Sequence, residues 1–150
     1  MRLTAKRVED LRAVLVPFAC DAARVAGVAR DPIEIVRRYL RREDREVVAL
    51  IAAALAYGRV ESLRAKISAL VGRLGDSPAM TLRSLSPDAL SDRVRGFVHR
   101  MTTARDAASL LGAIGGALRK HGSRRELFRK NDDGGSSIDV ALSRFVEALL

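Results

Sequence analysis

The chain has a single cysteine, Cys20, among 150 residues. It therefore cannot close an internal disulfide, and no Cys/His cluster has the spacing of metal ligands. The only two histidines, His99 and His121, lie far apart, and each is expected at the surface or at a helix end. Long apolar runs are also missing. The longest, Val47 to Tyr57, falls well short of the about 20 residues that span a bilayer. The N-terminal stretch MRLTAKRVEDLRAVLVPFAC is charged and then amphipathic, with no signal-peptide core or cleavage site. No cofactor and no membrane are implied, and a bacterial-type cytoplasmic protein is the expectation. Period-two alternation is scarce and β-branched residues are scattered, which argues against a sheet.

Acidic residues are in the minority, at 18 against 27 basic ones, giving a net charge of +9. Such a balance points to an anionic partner, nucleic acid above all. All but four of the basic residues are arginine, and alanine is about as frequent. Part of the charge is thus the coding bias of a GC-rich genome. Hydrophobic residues at 48% and charged ones at 30% describe a globular chain, and its length suits one domain with a real core.

The pattern predicts an all-α domain, a multi-helix orthogonal bundle spanning 1–150. A first helix is expected over Val8 to Val28, kinked or split near Pro17. Asp31-Pro32 reads as a cap followed by proline at the first helical position, opening the short helix IEIVRRYL. Asp44 and Glu46 favour the positive end of a new helix. That helix is apolar all round and is expected to be the central one, running to Tyr57 with Gly58 as its C-terminal cap. Its alanines at 52, 53, 54 and 56 would let neighbouring helices approach closely.

A cleanly amphipathic helix follows, with Val60, Leu63, Ile67, Leu70, Val71 and Leu74 on one stripe, and Gly75 stops it. DSPAM and LSPDAL each signal a capped short helix. TTARDAASLLGAIGGALRKHG is a further helix ending at Gly122. Its Gly112, Gly115 and Gly116 suggest a close-packing surface rather than a phosphate loop. SRRELF begins another short turn. NDDGGSS, about 131–137, is the exposed loop. The last helix, 138–150, carries Ile138, Leu142, Phe145, Val146 and Leu149. It stops inside its apolar stripe, so it is expected to be incomplete or to pack on something else.

Asp31-Pro32-Ile33, Asp44 with Glu46, Ala56-Tyr57-Gly58, and Gly96-Phe97 with Arg100 stand in order along the chain. With them, the stretch from about Asp31 to Phe128 resembles an uncharacterised bacterial family, domain of unknown function 2400. That family is in turn similar to the N-terminal part of the helix-hairpin-helix DNA glycosylases. There a buried helix ends in a tight turn aimed at DNA near the flipped base. The resemblance implies a DNA-facing turn Tyr57-Gly58-Arg59, with Arg64 and Lys66 nearby, and double-stranded DNA as partner. Such enzymes extrude a base and cleave its glycosidic bond, using a carboxylate and in some members a lysine. Those groups, and the phosphate-binding hairpin, belong to the second half of that fold. Neither a Leu-Pro-Gly-Val-Gly-like hairpin nor a Val-Asp-Thr-His-like segment occurs here, so no catalytic residue is assigned. The chain is expected to be a DNA-binding part of a glycosylase-like protein, not an enzyme by itself.

Each candidate also has a plainer reading. Tyr57 can be core packing, Gly58 a cap, and Arg59 a solvated cation rather than a wedge or phosphate contact. Asp44 and Glu46, two apart on a helix, do not share a face; capping and dipole compensation suit them better than acid–base chemistry. Asp31 is a cap first. Arg37, Arg38, Arg41, Arg42 and Arg45 form the densest basic patch, either on phosphates or as a charged face beside Glu34, Glu43 and Asp44. Arg100 is expected to pair with one of those acids inside the fold. The competing function is a helical protein-interaction or structural module, docking on a partner or a second copy through the last helix.

Overall fold

Small polar residues cap three of the described helices of this chain. The computed structural model describes residues 5–19, 27–28, 31–135 and 137–149. They build an all-α fold: α1 (Ala5–Ala19), α2 (Ile33–Arg37), α3 (Arg42–Ala54), α4 (Val60–Gly72), α5 (Pro78–Ser84), α6 (Pro87–Arg93), α7 (Ala104–His121), α8 (Arg124–Asn131) and α9 (Ile138–Leu149). Among the described residues no helix is long and apolar enough to cross a membrane. α1 passes through Pro17. The remainder of the first expected helix over 20–26, with Cys20 in it, lies outside the described residues, as does Leu150.

Several starts fall where the sequence puts them. Asp31 Oδ1 accepts the Ile33 N–H at 2.8 Å and opens α2. Ser86 accepts the Ala89 N–H to cap α6, and Thr103 with Asp106 forms a reciprocal capping box at α7. Gly122, at φ 77°, ends α7. Ser77, which should cap α5, makes no side-chain cap bond. The acceptor there is Asp44, whose Oδ1 takes the Ala79 N–H at 2.9 Å. Asp44 is thus a cap for another helix than its own, and only 2% of it is exposed. Glu46, two residues on, points elsewhere, toward Arg42 at 3.2 Å.

α3 corrects the expectation of a helix buried on every side. Val47, Val48, Ile51, Ala52 and Leu55 are buried on one face, whereas Ala53, Ala54 and Ala56 are exposed. Alanine raises hydrophobicity counts yet sits comfortably on a wet helix surface, because it is the best helix former. The helix also stops at Ala54 rather than Tyr57, with Leu55 as its C-cap and the Tyr57 N–H turned back to the Leu55 carbonyl at 2.8 Å. Gly58 is therefore not its cap.

Around α3 the stripe of α4 packs as expected, with Leu63, Ile67, Leu70 and Val71 buried, although Val60 is exposed. Leu82 of α5 and Leu111, Ile114 and Leu118 of α7 complete the core. α5 and α7 meet closely because Gly115 has no side chain: a Cβ there would collide with the Leu82 carbonyl. Gly112 has open space instead, so close packing belongs to Gly115. α8 continues to Asn131, longer than one turn. On α9 only Ala141 is buried, while Ile138, Leu142 and Val146 are exposed.

Replacing Asp44 by Ala leaves the buried Ala79 N–H without an acceptor, and is expected to lower the unfolding free energy by about 1–3 kcal/mol. Asp44→Asn keeps an acceptor oxygen and is expected to lose less; urea denaturation of both variants separates them. Gly115→Ala is expected to destabilise by about 1–3 kcal/mol through overpacking, despite alanine's better helix propensity.

Candidate nucleic-acid interface

The turn between α3 and α4 is held from across the chain. Tyr57 is half-buried, and its ring lies over that of His99 with centroids 4.7 Å apart. Its hydroxyl donates to the His99 carbonyl at 3.2 Å and shares a short hydrogen bond with Thr102 Oγ1. His99 returns the contact through Nε2, 3.1 Å from the Tyr57 carbonyl. A carbonyl can only accept, so Nε2 carries the proton. His99 is 2% exposed, which corrects its expected surface position. Tyr57 is therefore an anchor, as its plainer reading had it.

The partner loop is equally constrained. His99 and Thr102 exchange both backbone hydrogen bonds at 2.9 Å, leaving Arg100 and Met101 at the tip. Two-residue loops of this kind require positive φ, and Arg100 adopts φ 51°, alone among the described non-glycine residues. Left-handed backbone costs such a residue on the order of 1 kcal/mol. The Arg100 side chain lies over Gly58, where a Cβ would stand 2.5 Å from Arg100 Nε. Gly58 is thus glycine because of its φ of 105°; the exposed guanidinium above it could swing aside. Arg100 is exposed and pairs with none of Asp31, Glu34, Glu43 or Asp44. The tight loop projects Arg100 outward, so among the described residues it makes no ion pair where an internal one was expected.

Ion pairing sorts the remaining basic candidates. Arg64 is 3.1 Å from Glu34, which also holds Arg38 at 2.7 Å. The hydrogen bond from Arg38, assisted by Arg64, keeps the Glu34 carboxyl below its ordinary range. Arg41 approaches Asp44 at 3.9 Å and Arg42 approaches Glu46 at 3.2 Å. Three members of the dense patch are thereby partnered, and among the described residues Arg37 and Arg45 are not. Arg59 and Lys66 are exposed and make no side-chain bond among the described residues. With Ser62 they follow a spacing of three and four, which is one side of α4. Among the described residues Arg59, Arg100 and Lys66 make no ion pair, whereas Arg64 is paired with Glu34.

Sequence reasoning passed over His99 and Thr102, the two residues that lock the turn. A signal was available in Gly96-Phe97 and Arg100, which flank His99 and stop two residues short of Thr102. Among the described residues no group of three or more His, Cys, Asp or Glu is arranged to hold a metal ion.

The family model described as a protein of unknown function, DUF2400, matches residues 31–150. No curated protein and no solved structure matches the chain.

Tyr57→Phe removes two hydrogen bonds of the lock and is expected to cost about 1–3 kcal/mol, at 0.5–1.5 for each. Gly58→Ala must be strained whatever space opens, and is expected to cost about 1 kcal/mol or more. Thermal denaturation followed by circular dichroism checks both; an unchanged midpoint in Tyr57→Phe would contradict the lock.

Proposed function

The chain belongs to the DUF2400 family, and on that premise we propose that it is a DNA-binding unit of a DNA-glycosylase-like, base-excision-type protein. It contacts duplex DNA at the turn Tyr57-Gly58-Arg59, through Arg59 and the overlying Arg100, and carries no catalytic constellation among the described residues. The observation behind this reading is the free pair Arg59 and Arg100. Among the described residues neither is paired with an acid, and Arg100 lies over Gly58 beside Arg59, while Arg38, Arg41 and Arg42 are partnered by acids. Cations without internal partners are the ones available to phosphates, and each phosphate contact releases a counterion. Lys66 extends the same side of α4. Tyr57 and His99 fix the turn in place and do not themselves meet the DNA.

The second reading is a helical protein-interaction module. The exposed Ile138, Leu142 and Val146, four residues apart along α9, favour it. Salt separates the two: phosphate contacts weaken steeply as salt rises, while apolar docking does not.

Arg59→Ala is expected to weaken binding to an abasic-site duplex and to an intact duplex alike, and to reduce the salt slope by about 1. Arg100→Gly separates function from stability. It removes a cation and relieves left-handed backbone, so it is expected to bind more weakly while raising the unfolding free energy by about 1 kcal/mol. Fluorescence anisotropy and urea denaturation of the same preparations measure the two effects. No salt-sensitive binding by the parent chain would sink the DNA reading.

A further inference from the structure

Away from that turn, one cation is buried without a partner. Arg124, at the first position of α8, is 9% exposed. Its Nε is enclosed and bonds to nothing, and its guanidinium joins no hydrogen bond or ion pair among the described residues. Burial pushes it down to about 10, with Glu46 acting the other way. Glu46 is the nearest candidate partner, but its carboxylate is taken up by Arg42 at 3.2 Å and by the Arg125 N–H at 3.4 Å. Among its nitrogens only Nε is enclosed without a partner, so the two terminal nitrogens stay open to an incoming anion.

Arg124 lines an open groove of about 490 Å³ between α3, α8 and α9. The remaining walls are apolar apart from Glu46 and Arg125: Ala49, Leu50 and Ala53 from α3, Phe128 from α8, Leu142 and Phe145 from α9. The rings of Phe128 and Phe145 pack 5.9 Å apart. The exposure of Ala53, left unexplained by the packing of α3, makes it part of this lining. The volume falls within the range of small-molecule sites.

A guanidinium fork matches the two oxygens of a carboxylate, and apolar walls reward an apolar body. A polyphosphate or a nucleic-acid backbone would satisfy the cation but leave the walls unused. We propose that the groove between α3, α8 and α9 binds an apolar monocarboxylate, its head on Arg124 and its body along Leu50, Phe128 and Phe145. The site shares no residue with the turn at 57–59 or the loop at 99–102, so it stands independently of the DNA reading.

Calorimetric titration of the full chain with decanoate, below its micelle concentration, tests this. Decyltrimethylammonium, with the same tail and the opposite charge, is the control. Saturable binding at one decanoate per chain is expected, at least about tenfold tighter than the cationic amphiphile, as a charge-assisted pair implies. Arg124→Met is expected to abolish that preference while keeping the helical circular dichroism signal. Glu46→Gln is expected to leave decanoate binding intact or tighten it. Non-saturable binding, equal affinity for both head groups, or an undiminished preference in Arg124→Met would each overturn the proposal. The head-group contrast in the parent chain decides it even if Arg124→Met fails to fold. Weaker decanoate binding in Glu46→Gln, the mark of Glu46 as part of the site, would overturn it too.

Discussion

Tyr57 joins two turns that lie more than forty residues apart in sequence. Its ring covers His99 and its hydroxyl bonds to the loop at His99 and Thr102, while His99 bonds back to the Tyr57 carbonyl. These contacts explain why α3 stops at Ala54: the chain must leave the helix early for Tyr57 to reach across. They also set Gly58 beneath Arg100 and bring Arg59 to the same end of the molecule. A tertiary contact has here displaced a helix end that local preference placed three residues later.

Electrostatics then divides the arginines into two populations. Surface ion pairs contribute little to stability, often under about 1 kcal/mol, but each removes a cation from the pool available to a polyanion. Glu34, Asp44 and Glu46 perform that subtraction along α2 and α3, so the patch densest in sequence is among the more neutralised in space. Among the described residues Arg59, Arg100 and Lys66 escape it, as do Arg37 and Arg45 within the patch itself. Net charge alone could not distinguish these groups, since +9 is a sum over both. Arg124 is a third case, unpaired and buried, with an apolar groove in front of it.

Much of the helical order was legible in the sequence because caps are local. Asp31, Ser86, Thr103 and Gly122 act within a few residues of themselves, so their patterns read directly. The stripe of α4 was legible for the same reason, except at its exposed first residue, Val60. Asp44 stands in the first turn of α3 as expected, but its acceptor role spans 35 residues, and no local rule links it to Ala79. The all-apolar look of α3 misled because alanine scores as core and serves equally well outside. Arg100 was expected inside, paired with an acid. Its outward path follows from a two-residue loop that spacing alone does not reveal. Tyr57, Gly58 and Arg59 share one turn because they are adjacent, and Lys66 lies about two helical turns further along α4. Arg64, from the same motif, is bound to Glu34 instead.

The most direct measurement is chemical-shift mapping of the isotopically labelled chain, titrated with an abasic-site duplex at low and moderate salt. Perturbation is expected at residues 58–66 and 99–102, fading as salt rises, with α9 and the Arg124 groove unmoved. Perturbation confined to α9, or none at low salt, would contradict DNA contact at the Tyr57 turn.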